Sequence, residues 1–487
     1  MNDTNSIRKE ISILTLVSYL GHTLLMLRGF VLASVLGPAT YGFWIFFKDL
    51  FDLSSSTGFG ASQSMARQIP ENKAQRLHTL NQALVKATLG WNLLIGLLII
   101  GVLVLLNSLT QYIPNTTQLW LVSVLFILFI VHHFQRFRYK GEQRLLFFSR
   151  YKTVFVVTNA IFTIAFVFYF GLNGALIGLL ACLAISFGYL FAANDFLVPS
   201  IPKLHTGLQQ MRDGFPQFIN SYVWFLCRAT DRLVILTLLG SNMVGFFGLA
   251  GFLTAIISEI PLSLAHVLFP RTILTFQETQ NRYAIARFFE QPLLLNAALV
   301  CVLIGFIYLN TAWLVEWVLP EYSFSIQLLK ILIFGVFFSA LWILTSNILL
   351  TLHKDNRQLK LSVFILLTTL AVDIAVVLWG GGIVSVAITS VSIAGMSSLF
   401  IVGYTQWLLT HSKRKTVIFV LKILLPIIYS LIVIALIDLV LPISHDINSV
   451  LASNALWFIA CFPFLLKIMR AAGYIGDKKS GSLSRYS

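Results

Sequence analysis

The chain alternates long apolar runs with short polar breaks. The runs fall at about 11–35, 40–62, 87–107, 118–134, 153–170, 175–193, 214–239, 245–269, 288–309, 325–351, 361–379, 383–408, 418–437 and 450–467. A membrane-spanning helix needs ~20 mostly apolar residues, so the pattern predicts an all-α integral membrane protein of about fourteen transmembrane helices. The breaks are of two kinds, and the kinds alternate. One is basic, as in "RQIPENKAQR", "RFRYKGEQR", "KDNRQLK" and "KRK". The other carries no Lys or Arg, as in "GPAT", "GLNG", "GSNM" and "GGG". Of the 34 Lys and Arg, 29 fall in the basic breaks, the termini or the adjoining ends of spans, and the other five lie elsewhere inside spans. The positive-inside rule then places both termini and every basic loop in the cytoplasm.

Composition agrees with this pattern. Charged residues make up 11% of the chain, mean hydropathy is +0.85 and the formal net charge is +15. A soluble domain carries about 25% charged residues. The positive balance is spread over short loops, which makes it a topology signal and not a nucleic-acid footprint. The apolar stretch 11–36 outruns the ~7–15-residue core of a secretory leader and is predicted to be the first span. Cys182, Cys227, Cys301 and Cys461 lie inside apolar runs at no pairing spacing and are expected as buried thiols. His132 and His133 have no acid at metal-site spacing, and no cofactor is expected.

An internal repeat organises the spans. "LGPATYGF" (36–43) and "LGSNMVGF" (239–246) share Leu-Gly-x-x-x-x-Gly-Phe, each at the hairpin after the first span of a six-span set. Arg67 and Arg271 follow at nearly equal distance. Six spans separate the copies, so both point the same way. That is a parallel repeat about an axis along the membrane normal, one of the transporter architectures. The predicted organisation is an N-terminal lobe over 1–193, a cytoplasmic linker over 194–213 with a short surface helix, a C-terminal lobe over 214–410, and two extra helices with a tail over 411–487.

The intramembrane charges point to the chemistry. Away from the span ends that adjoin the basic breaks, they are Arg28, Lys48, Asp49, Asp52, Arg228, Asp231, Arg232, Glu259, Lys330 and Asp373, and eight of the ten lie on spans 1, 2, 7 and 8. Each costs about 2.5–3.5 kcal/mol in lipid, so Lys48, Asp49 and Asp52 together would cost span 2 roughly 8–10 kcal/mol. They must face water, protein or one another. Helical spacing lets Lys48 pair with Asp52, and Asp231 pair with Arg228 or Arg232. Local salt bridges that orient helices are one reading. A hydrated cavity lined by Arg28, Lys48, Asp52, Arg228, Arg232 and Glu259 is the other, and the recurrence of charge at matching places in both halves favours it. Arg28, Arg228, Arg232 and Lys48 suit a phosphate-bearing substrate, because guanidinium forks match phosphate oxygens. Asp373 is the only ionisable residue of its span, with Thr369 one turn before it; with Asp231 and Thr389 it forms a candidate site for a coupling ion, Na⁺ or H⁺.

No phosphate-binding loop of the Gly-x-x-x-x-Gly-Lys-Ser/Thr type occurs, and the longest non-basic loop, about 310–324, cannot hold a catalytic domain. A transporter is therefore expected ahead of a membrane-embedded polysaccharide polymerase or ligase.

Three stretches carry a resemblance. "RGFVLASVLGPATYGFW" from Arg28, "GFGASQSMARQIP" (58–70) and "DRLVILTLLGSNMVGFFGLA" (231–250) resemble Wzx-type polysaccharide flippases of the multidrug/oligosaccharidyl-lipid/polysaccharide exporter superfamily. The resemblance implies two six-helix lobes, two added C-terminal helices and alternating access. It also implies a substrate of sugars on undecaprenyl diphosphate, moved from the cytoplasmic to the outer leaflet of a bacterial inner membrane, alongside polymerase and assembly partners. A cation held in the second lobe between spans 7, 11 and 12 is a further implication. A multidrug antiporter of the same fold is the alternative.

Overall fold

The computed structural model describes residues 2–74, 78–110, 115–201, 203–258, 282–352, 354–441 and 447–471. Among these the long helices are α1 (Asn2–Leu53), α2 (Ala61–Ala74), α3 (His78–Thr110), α4 (Thr116–Glu142), α5 (Leu145–Ala192) and α6 (Leu204–Leu238). They continue as α7 (Ser241–Ser258), α8 (Arg282–Val318), α9 (Phe324–Thr351), α10 (Asp355–Leu378), α11 (Ile383–Thr410), α12 (Lys413–Val440) and α13 (Ile447–Ala471).

Ten of these are long and apolar enough to cross a membrane: α1, α3–α5 and α7–α12. Two of the ten double back on themselves. In α1 the break is Gly37, at φ 67° and ψ 168°, followed by Pro38. Arg28 and Trp44 would be about 24 Å apart on a straight helix, yet the Arg28 guanidinium lies 5.4 Å from the Trp44 ring. In α5 the break is Gly171, at φ 55°. Past it the limbs touch so closely that a Cβ on Gly174 would stand 2.0 Å from the Phe166 carbonyl oxygen. Each of these helices therefore supplies two spans. With α6 and α13 added, the fourteen predicted spans are accounted for. The charges of its second half hold α6 below the apolar threshold; they are the price of the chemistry described below.

Contacts divide the chain into two compact units. The first is residues 1–236 with 240–245, and the second is 237–239 with 246–487. In the first, α1 packs on α5, and α2 and α3 pack on α4. The linker helix expected over 194–213 is not separate: it is the first part of α6, which runs unbroken from Leu204 through Pro216. It docks on α3, where the Thr88 hydroxyl lies 2.9 Å from Gln210 Oε1 and Gly207 leaves room for the Trp91 indole. Further along α6, Gly214 lets the backbone of Gly60 approach.

In the second unit α8, α9 and α11 form the centre, filled by Phe289, Leu293, Ile333, Phe337, Leu341 and Val402. The two added helices α12 and α13 pack on α8. Trp457 of α13 is fully buried over Gly305, its indole N–H donating to the Val302 carbonyl at 3.1 Å. The next residue, Phe458, is 49% exposed. Similar outward apolar residues run along α3 (Leu98, Leu105, Leu109) and α12 (Leu421, Leu425, Leu436), as lipid immersion requires. All four cysteines are free thiols.

The repeat glycines are matched in conformation. Gly240, the counterpart of Gly37, has φ 93°. A Cβ on Gly42 would stand 1.9 Å from the Ser241 carbonyl oxygen, and one on Gly245 would stand 1.9 Å from that of Pro38. Each hairpin thus seats its second glycine on the backbone of the other, at equivalent positions.

Candidate functional site in the first unit

The second limb of α1 turns Tyr41, Trp44, Phe47 and Phe51 into the protein core. The same limb carries Lys48, Asp49 and Asp52. Lys48 is exposed and the two acids are half-buried, although all three lie well inside an apolar span. Charged side chains at that position without lipid-compatible cover need water or a ligand.

Arg28 sits opposite, on the first limb of α1, and is 8% exposed. Its Nη1 donates to Asn159 Oδ1 at 2.8 Å, and that oxygen also accepts from the Thr163 hydroxyl at 3.0 Å. The Trp44 ring faces the guanidinium as a cation–π partner. Arg28 Nε is buried with no protein acceptor.

Arg232 comes from α6. Its Nη1 donates to both oxygens of Asp49, at 2.6 and 2.8 Å, joining residues 183 positions apart. Its Nε is likewise buried with no protein acceptor. The charges of Asp52, Arg232, Asp49 and Arg28 all act on Lys48, so these five residues form one electrostatic set of three cations and two acids.

The pairing differs from two of the local pairs that helix spacing suggested, Lys48 with Asp52 and Asp231 with Arg232. Among the described residues no ion pair joins Lys48 to Asp52, and Arg232 turns to Asp49 instead of Asp231. Adjacent residues on a helix point about 100° apart and do not face each other, whereas the neighbouring span presents Asp49 directly. Asp231 is half-buried with one carboxylate oxygen fully enclosed. Arg228 lies on the same helix, but its side chain is outside the described residues, as are Glu259 and Arg271.

Asn159, Trp44 and Tyr41 belong to this set and were not singled out from sequence. Asn159 had a usable signal, being an amide in the middle of an apolar span. His132 and His133 lie nearby in an aromatic box: His132 Nδ1 is 2.8 Å from the Tyr151 hydroxyl, and His133 packs beside Phe129. No group of three or more metal-ligating side chains occurs among the described residues.

In the second unit Asp373 of α10 is fully buried. The Thr389 hydroxyl of α11 lies 2.8 Å from Asp373 Oδ1 and 2.9 Å from the Val386 carbonyl, with one proton for the two acceptors. Thr369 is buried one turn before Asp373. Three of the four predicted ion-site residues thus gather on α10 and α11, and Asp231 belongs to the first unit.

Residues 7–274 match the family described as "Polysaccharide biosynthesis protein". The chain belongs to this family. The match spans both copies of the glycine repeat and every charged residue of the set above. No curated protein matches the chain in sequence. Among solved structures, the lipid II flippase MurJ in an inward closed conformation is similar at TM-score 0.69 and 13% identity, over 94% of this chain and 99% of that one. An inward-facing multidrug resistance MATE family transporter of the MOP superfamily is similar at TM-score 0.64 and 17% identity, over 81% and 96%. A MOP superfamily transporter from Pyrococcus furiosus is similar at 0.53 and 15%, over 83% and 95%. The polysaccharide biosynthesis protein is therefore a multi-pass membrane protein with the fold of these transporters, and the flippase resemblance read from its motifs is borne out.

Proposed function

We propose that this protein moves an oligosaccharide carried on undecaprenyl diphosphate from the cytoplasmic to the outer leaflet by alternating access. The carrying observation is the pair of buried guanidinium Nε–H groups, on Arg28 and Arg232, that no protein acceptor meets. A buried donor without an acceptor costs about 1–3 kcal/mol, more when charged, and such groups in a polar set inside apolar helices are expected to serve a ligand. A diphosphate supplies oxygens for both forks and for Lys48. Asp49 and Asp52 leave the described set one positive charge in excess, which admits an anion without trapping it. The flippase neighbour acts on lipid II, a lipid-borne substrate, which supports the same class here. The polyprenyl chain stays in lipid, so only the polar head needs shelter. Transport makes and breaks no covalent bond in the substrate, and the protein is read as a transporter and not an enzyme.

The basic loops set the direction, with both termini cytoplasmic in a bacterial inner membrane. A cysteine placed at Asn242, exposed on the hairpin without basic residues, should react with an impermeant reagent from outside intact cells; labelling only after lysis would reverse the orientation. For the site, Arg28→Ala should cut surface glycan by about tenfold or more at unchanged protein level, with Arg28→Lys rescuing only in part because the fork is lost. Normal glycan in an Arg28→Ala/Arg232→Ala double variant would overturn the reading.

Coupling to Na⁺ or H⁺ is assigned to Asp373. When ionised it accepts a hydrogen bond from the Thr389 hydroxyl; when protonated it donates to the Thr389 oxygen while that hydroxyl turns to Val386. One rotation of the Thr389 hydroxyl serves Oδ1 in either state. Glycan export measured with the H⁺ and Na⁺ gradients collapsed separately tests this, and indifference to both would remove coupling.

A further inference from the structure

A second polar feature of the first unit lies at the basic ends of the helices, apart from the intramembrane set. A cavity of about 510 Å³ opens between α2, α3, α4 and the 194–197 segment. Its floor is an ion knot. Buried Arg138 donates from Nε to Glu142 at 2.9 Å and from Nη2 to Asp195 Oδ1 at 2.8 Å, and Arg144 Nη1 donates to the same oxygen at 2.8 Å. The Tyr139 hydroxyl donates to Asp195 Oδ2 at 2.5 Å. Two acids and two arginines therefore neutralise one another.

The rim is different. Lys73 and Lys86 line the same cavity, are exposed, and meet no acid among the described residues. Gln82 lines it as well and is exposed, while Asn81 is engaged, its Nδ2 donating to the Ile69 carbonyl at 3.2 Å and its Oδ1 accepting from Asn72 at 2.9 Å. The cavity thus carries two uncompensated positive charges over a fixed, neutral floor.

Its walls and surroundings are apolar. Ile69, Val85 and Leu197 line it. The chain leaving it exposes Phe196, Val198 and Ile201, the last at 95%, while the Ser200 N–H holds this strand to α3 through the Lys86 carbonyl at 3.2 Å. Bare apolar side chains beside free lysines, at the polar end of membrane helices, match the boundary between headgroups and acyl chains. A soluble phosphate compound would need the lysines and not the exposed apolar segment.

We propose that this cavity is a binding site for the phosphate headgroup of an anionic bilayer phospholipid, with its acyl chains lying along Phe196, Val198 and Ile201. The lysines and the Gln82 amide hold the phosphate; the Arg138–Asp195–Arg144 knot fixes the floor. The site is distinct from the Arg28–Arg232 set and does not depend on which lipid-linked sugar is carried.

The test is native mass spectrometry of the full-length protein in neutral detergent, titrated with phosphatidylglycerol, with phosphatidylcholine and with inorganic pyrophosphate. Phosphatidylglycerol is expected to bind preferentially. A lysine near an anionic headgroup contributes about fivefold in affinity, so Lys73→Gln and Lys86→Gln should each weaken phosphatidylglycerol about fivefold, and the double variant about twentyfold or more. Gln82→Glu, which adds a charge without removing a lysine, should weaken it comparably, while Lys330→Gln in the second unit should leave it unchanged. Equal binding of the two lipids, or full affinity in the double variant, would overturn the site. Pyrophosphate binding as tightly as phosphatidylglycerol would overturn the lipid assignment in favour of a soluble phosphate.

Discussion

The two units are both helical but hold buried charge differently. In the first, polar side chains reach across long stretches of sequence: Arg28 to Asn159, Arg232 to Asp49, Arg138 to Asp195. In the second, Asp373 is fully buried and meets a threonine hydroxyl sixteen residues on, and the longer polar reaches are between uncharged or singly charged side chains, Gln406 to Glu290 and Asn310 to Asn454. An open set of several charges with unmet donors suits a large anionic ligand. A single enclosed carboxyl suits a small cation. Under the proposed function, the two chemistries fall in different units.

The comparison breaks most readily at Arg28. Arg28→Ala removes a charge-assisted bond and the Nε donor, and glycan export should fall on the order of tenfold to a hundredfold, with protein level on a blot unchanged. A fall in protein level matching the loss of export would make Arg28 a structural residue. In the second unit the largest expected effect is on stability, not export. Trp457→Ala empties a fully buried indole site and should cost about 3–5 kcal/mol, read as a lowered melting temperature of the purified protein.

Next comes the ion knot. Burial pushes the Asp195 carboxyl up, but the Tyr139 and Arg144 hydrogen bonds and the Arg138 and Arg144 charges outweigh this and hold it below its ordinary 3.8. A depressed carboxylate stabilises the fold fully above its unfolded value and loses that contribution as pH falls through the folded one. Melting temperature should therefore drop on acidification below about pH 4, and Asp195→Asn, costing about 3 kcal/mol at neutral pH, should flatten that drop. An unchanged acid limb would sever the knot from stability.

Asp373→Asn keeps the shape and one hydrogen bond, so it should fold, insert and lose only gradient-driven export. Thr389→Val should reduce export less, by a single hydrogen bond of about 1 kcal/mol. The smallest effect is expected at Phe458, whose side chain is half exposed where its neighbour Trp457 is enclosed. Phe458→Asn with a stability loss equal to Trp457→Ala would contradict the lipid-facing assignment.

Much of this was legible in sequence. Apolar run length and basic loop alternation gave the spans, and "GLNG" and "GPAT" marked the two reversals at Gly171 and Gly37 that turn long helices into hairpins. Arg28, Lys48, Asp52 and Arg232 stood out because charge in an apolar run is costly. Their partners did not. Nothing at positions 49 and 232 says that residues 183 apart meet, and local spacing offered nearer partners for each. Asn159 and Trp44 are unremarkable by type and become informative only beside a guanidinium. The ion knot was hidden for the same reason: Arg138 and Asp195 lie in separate polar breaks, and only the fold of α5 returns the chain to α4.

The reciprocal seating of Gly42 on Ser241 and Gly245 on Pro38 has a consequence for additivity. Each glycine admits the carbonyl of the opposite hairpin, so the two positions form a single joint although 203 residues separate them. A methyl group at either one forces the same junction apart, and once it has moved, the second methyl group meets less resistance. Substitutions at distant places in a chain ordinarily sum; Gly42→Ala and Gly245→Ala should together cost less than the sum of their separate costs, and the coupling energy of that cycle measures how firmly the two halves of the repeat are clasped.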